Sequence, residues 1–100
     1  MSYELILPPD TRTEIQSYLS ERFERPLDRL RGWDQIEAEL QKLAANPALG
    51  SAPRGGPFES RPIYRFAITV DDTTRYIQVV YKIHREERLV VVSGFAPVQL

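Results

Sequence analysis

From residue 64 to residue 92 apolar side chains recur at every second position, and this alternation is the strongest pattern in the chain. Tyr64, Phe66, Ile68 and Val70 alternate with Arg65, Ala67 and Thr69, and Ile77, Val79, Tyr81 and Ile83 alternate with Tyr76, Gln78, Val80 and Lys82. Each series predicts a strand with one buried face. Asp71-Asp72-Thr73 makes the turn between them, so the two apolar rows meet across a ladder. A charged turn, His84-Arg85-Glu86-Glu87-Arg88, then leads into Leu89-Val90-Val91-Val92-Ser93, a β-branched run expected in a well-buried strand that Gly94 and Pro97 end.

Upstream the period changes to that of helices. Ile15, Tyr18, Leu19 and Phe23 share one face of a first helix, and Thr11-Arg12-Thr13-Glu14 fits a capping box, with Asp10 suited to the positive end of the helix dipole. Pro26 ends this helix or sits in the first turn of the next. Leu27, Leu30, Trp33, Ile36, Leu40, Leu43 and Ala44 then form one stripe, closed by Asn46-Pro47. Gly32 weakens that segment, and Asp34 with Glu37 offers a fresh cap, so regular helix is expected from near Trp33. Residues 3–7 read as a short strand stopped by Pro8-Pro9 and placed at an edge of the sheet. Residues 50–62, with Gly50, Gly55, Gly56, Pro53, Pro57 and Pro62, are loop chemistry and the expected mobile segment.

The order of elements predicts an α+β fold: a short N-terminal strand, a helical hairpin, then a three-stranded antiparallel meander with the helices on one face. Residues 1–100 are expected to form a single domain, a common size for one core. The composition narrows the chemistry. There is no cysteine, which excludes disulfides, thiolate metal sites and a cysteine nucleophile. No secretion signal or membrane-length apolar run is present, so a soluble, cytoplasmic protein without membrane contact is expected. Thirteen Lys+Arg against fourteen Asp+Glu give a net charge of -1, so any attraction for nucleic acid is local.

Few residues carry candidate chemistry. His84 lies in a charged turn where solvation is the default, and Asp71-Asp72 is ordinary turn chemistry. Glu37 and Glu39 point to different sides of a helix and read as surface residues. Arg54-Gly55-Gly56-Pro57 lacks the lysine and helix start of a phosphate-cradling loop. The aromatic residues Tyr64, Phe66, Tyr81 and Phe95 fall at core positions, whereas Tyr76 falls on the outward face. That face places Arg65, Ala67 and Thr69 beside Tyr76, Gln78, Val80 and Lys82. It reads either as a solvated sheet surface or as a concavity in which Arg65 and Lys82 hold phosphates while Tyr76 stacks on a base.

Taken in order, several segments resemble the toxins of the RelE/ParE superfamily of type II toxin-antitoxin systems. They are Leu40-Gln41-Lys42-Leu43-Ala44-Ala45-Asn46-Pro47, Leu49-Gly50, Arg54-Gly55-Gly56, Ile63-Tyr64-Arg65-Phe66, Ile77-Gln78-Val79-Val80-Tyr81-Lys82-Ile83 and the final β-branched run. The resemblance implies a toxin-like protein neutralised by a cognate antitoxin, either a monomer or in complex with it. Ribosome-dependent members cut messenger RNA, and ParE-like members inhibit DNA gyrase. By position, the family's first-strand basic sites fall on Arg65 and Ala67, and its middle-strand arginine falls on Gln78. Segment 94–100 offers no counterpart of the C-terminal basic and tyrosine pair. The expected catalytic set is therefore Arg65, Tyr76 and Lys82, at most a weak endoribonuclease, and the expected nucleic-acid contacts are Arg54, Arg61, Arg65, Gln78 and Lys82, with neither metal nor cofactor. The alternative is a RelE-like fold kept as a non-catalytic interaction module, since RNA cleavage needs a base, an acid and cations over the phosphate, and this face supplies mainly the cations.

Overall fold

The computed structural model describes residues 3–50 and 62–98. Strand β1 (Glu4–Ile6) leads into helix α1 (Pro9–Arg22), helix α2 (Pro26–Ala45), a 3₁₀ turn at Pro47–Leu49, and then strands β2 (Ile63–Val70), β3 (Thr73–His84) and β4 (Leu89–Val98). The sheet order is β1-β4-β3-β2. The last three strands form the expected antiparallel meander, and β1 lies at the edge, parallel to β4, with Glu4 beside Leu89 and Ile6 beside Val91. Both helices pack on one face, completing the α+β architecture.

The inward parity is the one the alternation predicts. Phe66, Ile68 and Val70 of β2, Ile77, Val79 and Tyr81 of β3, and Val90 and Val92 of β4 are buried against Ile15, Tyr18 and Leu19 of α1, against Phe23, and against Ile36, Leu40 and Leu43 of α2. Ten side chains in this group are essentially inaccessible, each worth roughly 1.5–3 kcal/mol of apolar transfer.

Four local expectations are corrected. Helix α1 begins at Pro9, where the missing N–H costs nothing, and no side chain caps it. Thr11 is therefore inside the helix, and its hydroxyl donates to the Val92 carbonyl at 3.0 Å in the core. Helix α2 runs unbroken from Pro26, because Gly32 is buried at the crossing with α1: a Cβ there would sit 2.7 Å from Leu19 Cδ2. The glycine is a point of close approach rather than a weak link. Leu27 and Leu30 fall outside the buried stripe, at 51% and 55% exposure, since the core-facing line runs through Gly32, Ile36, Leu40 and Leu43. Finally, β4 continues past Gly94 and Pro97 to Val98 by means of a bulge: Val80 pairs with Gly94 and Tyr81 with Val92, leaving Ser93 as the extra residue. Beyond the reach of β1, this stretch has β3 as its only sheet neighbour among the described residues, which is where a proline is tolerated.

The connections follow from side-chain chemistry. Asp71 and Asp72 have φ of 52° and 62°, the left-handed pair that closes a two-residue hairpin between Val70 and Thr73. On edge strand β2, the Gln35 side-chain amide of α2 donates to the Thr69 carbonyl at 2.6 Å and accepts from its N–H at 2.8 Å, occupying part of an edge that another strand would otherwise extend. Both described flanks of segment 51–61 meet at Tyr81, whose hydroxyl donates to the Pro47 carbonyl and whose N–H donates to the Pro62 carbonyl. The mobility expected for residues 50–62 falls largely outside the described residues, as do the expected contacts Arg54 and Arg61.

Candidate nucleic-acid interface

The sheet face opposite the helices carries the even positions of β3, and strand register sorts them into rows. Arg65 of β2, Gln78 of β3 and Ala96 of β4 form one row; Ala67, Tyr76 and Val98 form the next. In the other direction lie Ile63, Val80 and Gly94, then Lys82, Val91 and Ile6, then His84, Leu89 and Glu4. Arg65, Tyr76 and Lys82 are exposed, and Gln78 is half-buried. Among the described residues, the helices lie wholly on the other side.

Arg65 and Gln78 face each other across the ladder, and the Arg65 Nε donates to Gln78 Oε1 at 3.0 Å. That bond tethers the guanidinium through Nε and leaves its terminal N–H groups for an oxyanion. Tyr76 stands on the neighbouring row with 45% of its surface exposed, the most accessible aromatic ring on this face. Arg65, Gln78 and Tyr76 thus make one cluster: a cation, an amide and a stacking ring. Lys82 is not part of it. Four residues of strand separate it from Gln78, roughly 13 Å, and six separate it from Tyr76, roughly 20 Å. The three residues expected to act together in catalysis are therefore spread over β2 and β3, with Lys82 set well apart from the other two.

Around Lys82 the face is apolar: Ile63 and Val80 lie between it and the cluster, Val91 and Ile6 share its row, and Leu89 continues the patch, all of them half-buried. His84 is the last residue of β3, half-buried beside Leu89 rather than free in the turn. Among the described residues no group of His, Cys, Asp and Glu is arranged to hold a metal.

On the helix side, Glu39 is half-buried rather than a bare surface residue. It accepts from the Tyr64 hydroxyl at 2.6 Å and from Lys42 Nζ at 3.0 Å. Burial pushes the Tyr64 phenol up, reinforced by the hydrogen bond to Glu39 and its charge, to about 12. Burial alone raises the Glu39 carboxyl, but Tyr64 and Lys42 together outweigh it and hold the group below its ordinary value. Burial likewise raises the Tyr81 phenol, against the lowering effect of the Gly50 backbone N–H.

A pair of arginines escaped the sequence reading as a site. Arg75 lies on the inward parity of β3, in line with Ile77, Val79 and Tyr81, and its guanidinium stacks 5.4 Å from the Phe23 ring centre. Arg22, in the last turn of α1, stacks at the same 5.4 Å on Tyr18. The signal was a charged residue on an apolar strand parity, which marks a position needing a partner.

With this geometry in place, the likeness to known proteins is one of fold. The chain is similar to the free state of an arginine double mutant of the Escherichia coli toxin RelE, at 18% identity and a TM-score of 0.54, over 96% of this chain and 83% of that one. No protein-family model and no curated protein matches the chain.

Proposed function

We propose that this RelE-like fold serves as a toxin-like component of a type II toxin-antitoxin pair, engaging RNA through the open sheet face and held in check by a cognate antitoxin. The observation that carries this reading is the Arg65, Gln78 and Tyr76 cluster, with Lys82 further along β3, on the uncovered side of a fold similar to RelE. A single strand laid along β3 would place a base on Tyr76, the next phosphate at Arg65 and a later phosphate at Lys82. The face is better equipped to bind than to cut. Its cations are set apart along the strand, and Tyr76 is the only phenol on it, so cleavage by this chain alone is expected to be weak.

The test is induction of the chain by itself in a bacterial host. Growth arrest that is relieved by Arg65→Ala with Lys82→Ala supports the reading; unimpaired growth at full expression of the unaltered chain contradicts it.

One observation favours a second reading, a non-catalytic interaction module. The half-buried patch of Ile63, Val80, Val91 and Ile6 is suited to a protein surface rather than to phosphates. That module would retain a stable protein partner when Arg65 and Lys82 are both replaced by alanine.

A further inference from the structure

A depression of about 350 Å³ opens between the last turn of α1, the start of β3 and the end of β4, lined by Tyr18, Arg22, Thr74, Arg75, Tyr76, Pro97 and Val98. Among the described residues it has two arginines in its wall and no carboxylate. Among the described residues neither arginine makes a hydrogen bond or ion pair, and the Arg75 Nε is buried with no hydrogen-bond partner there. A guanidinium N–H removed from water and left unmatched is an expensive choice on a strand whose other inward residues are apolar. Both guanidinium groups rest on aromatic rings, Arg22 on Tyr18 and Arg75 on Phe23, contacts that restrict them before any ligand arrives. Two guanidinium forks with two positive charges match a doubly charged, multi-oxygen anion better than a single carboxylate. Thr74 is already paired with Thr69, which leaves the phenols of Tyr18 and Tyr76 as the other hydroxyls in the wall, and the exposed Tyr76 ring stands at the rim.

We infer that this depression is a binding site for a phosphate monoester, gripped by the Arg22 and Arg75 guanidinium groups. The inference goes beyond RNA engagement by the open face, because its two anchors lie in α1 and on the inward parity of β3. The phosphate comes either free or on a mononucleotide, whose base would meet the Tyr76 ring. These sources share one anchoring chemistry and differ in whether a base adds affinity.

The test is a titration of the full chain, followed by backbone and arginine side-chain NMR, with inorganic phosphate, adenosine 5′-monophosphate, adenosine and acetate. Both phosphates are expected to move the Arg75 Nε–H signal and the Thr74 and Tyr76 amides at concentrations up to about 10 mM, and adenosine and acetate are not. Tighter binding of the nucleotide identifies it as the source, and equal binding identifies free phosphate. Arg75→Met keeps the packing on Phe23 and should weaken phosphate binding by about tenfold or more; Arg22→Gln, on an exposed side chain, provides the same reading should the first variant not fold. Failure of both phosphates to bind, acetate binding as tightly as phosphate, or undiminished binding by the folded variants would each overturn the inference. Loss of RNA binding on Arg65→Ala leaves these shifts in place, so the two sites fail separately.

Discussion

The Tyr64 hydroxyl and the Glu39 carboxylate tie β2 to α2 through one short bond at the margin of the core. Because the phenol is raised from 10.0 to about 12 in the folded chain, its contribution is complete below pH 10 and drains away as the pH climbs toward 12. The carboxylate works in the opposite sense: lowered in the fold, it stabilises above the ordinary carboxylate range and loses that contribution as acid protonates it. Tyr64→Phe should cost about 1 kcal/mol at neutral pH and remove part of the alkaline loss of stability. Urea denaturation at neutral pH and across the alkaline range checks both effects, and an unchanged alkaline slope would count against the assigned bond. Part of the slope remains in any case, since burial also raises Tyr81. Thr11 offers a second single-residue test. Thr11→Val preserves shape but orphans the Val92 carbonyl in the core, and a loss of about 1–2 kcal/mol is expected in the same assay.

At the scale of elements, the hairpin between β2 and β3 spends two non-glycine residues on left-handed backbone. Replacing Asp71-Asp72 with Asn-Gly should stabilise the chain by about 1 kcal/mol, measured as a raised melting temperature, because glycine and asparagine enter that region more readily. This turn also shows what the sequence makes legible. Its position, its chemistry and the parity of both flanking strands follow from strict alternation around a polar dipeptide, since alternation reports directly which side is buried. Features governed by three-dimensional contact were not legible. Gly32 reads as a helix weakener until Leu19 is seen pressing on it, and Leu30 reads as core until the crossing with α1 turns the buried line toward Ile36. The continuation of β4 through Gly94 and Pro97 depends on a bulge and on a sheet edge that no described strand occupies, neither of which local sequence encodes.

Across the whole molecule, two helices cover one side of a mixed four-stranded sheet, and among the described residues the other side stays uncovered. That asymmetry places Arg65, Gln78, Tyr76 and Lys82 on one surface, as alternation alone implies. It does not say how far apart they are: register aligns Arg65 with Gln78, while strand rise carries Lys82 roughly 13 Å away. The site thus becomes an extended track rather than a compact catalytic centre, which is why binding is the activity expected to dominate. The paired arginines of α1 and β3 were invisible for a related reason, since only packing brings Arg22 and Arg75 to the same depression. The most direct test of the account is fluorescence anisotropy of a labelled single-stranded RNA at several salt concentrations, comparing the unaltered chain with Arg65→Ala/Lys82→Ala. The account predicts binding that weakens with salt, at least about tenfold lower affinity for the double variant, and a salt slope smaller by about 1.4 for the two lost phosphate contacts. Equal affinity and an equal slope for the two proteins would contradict it.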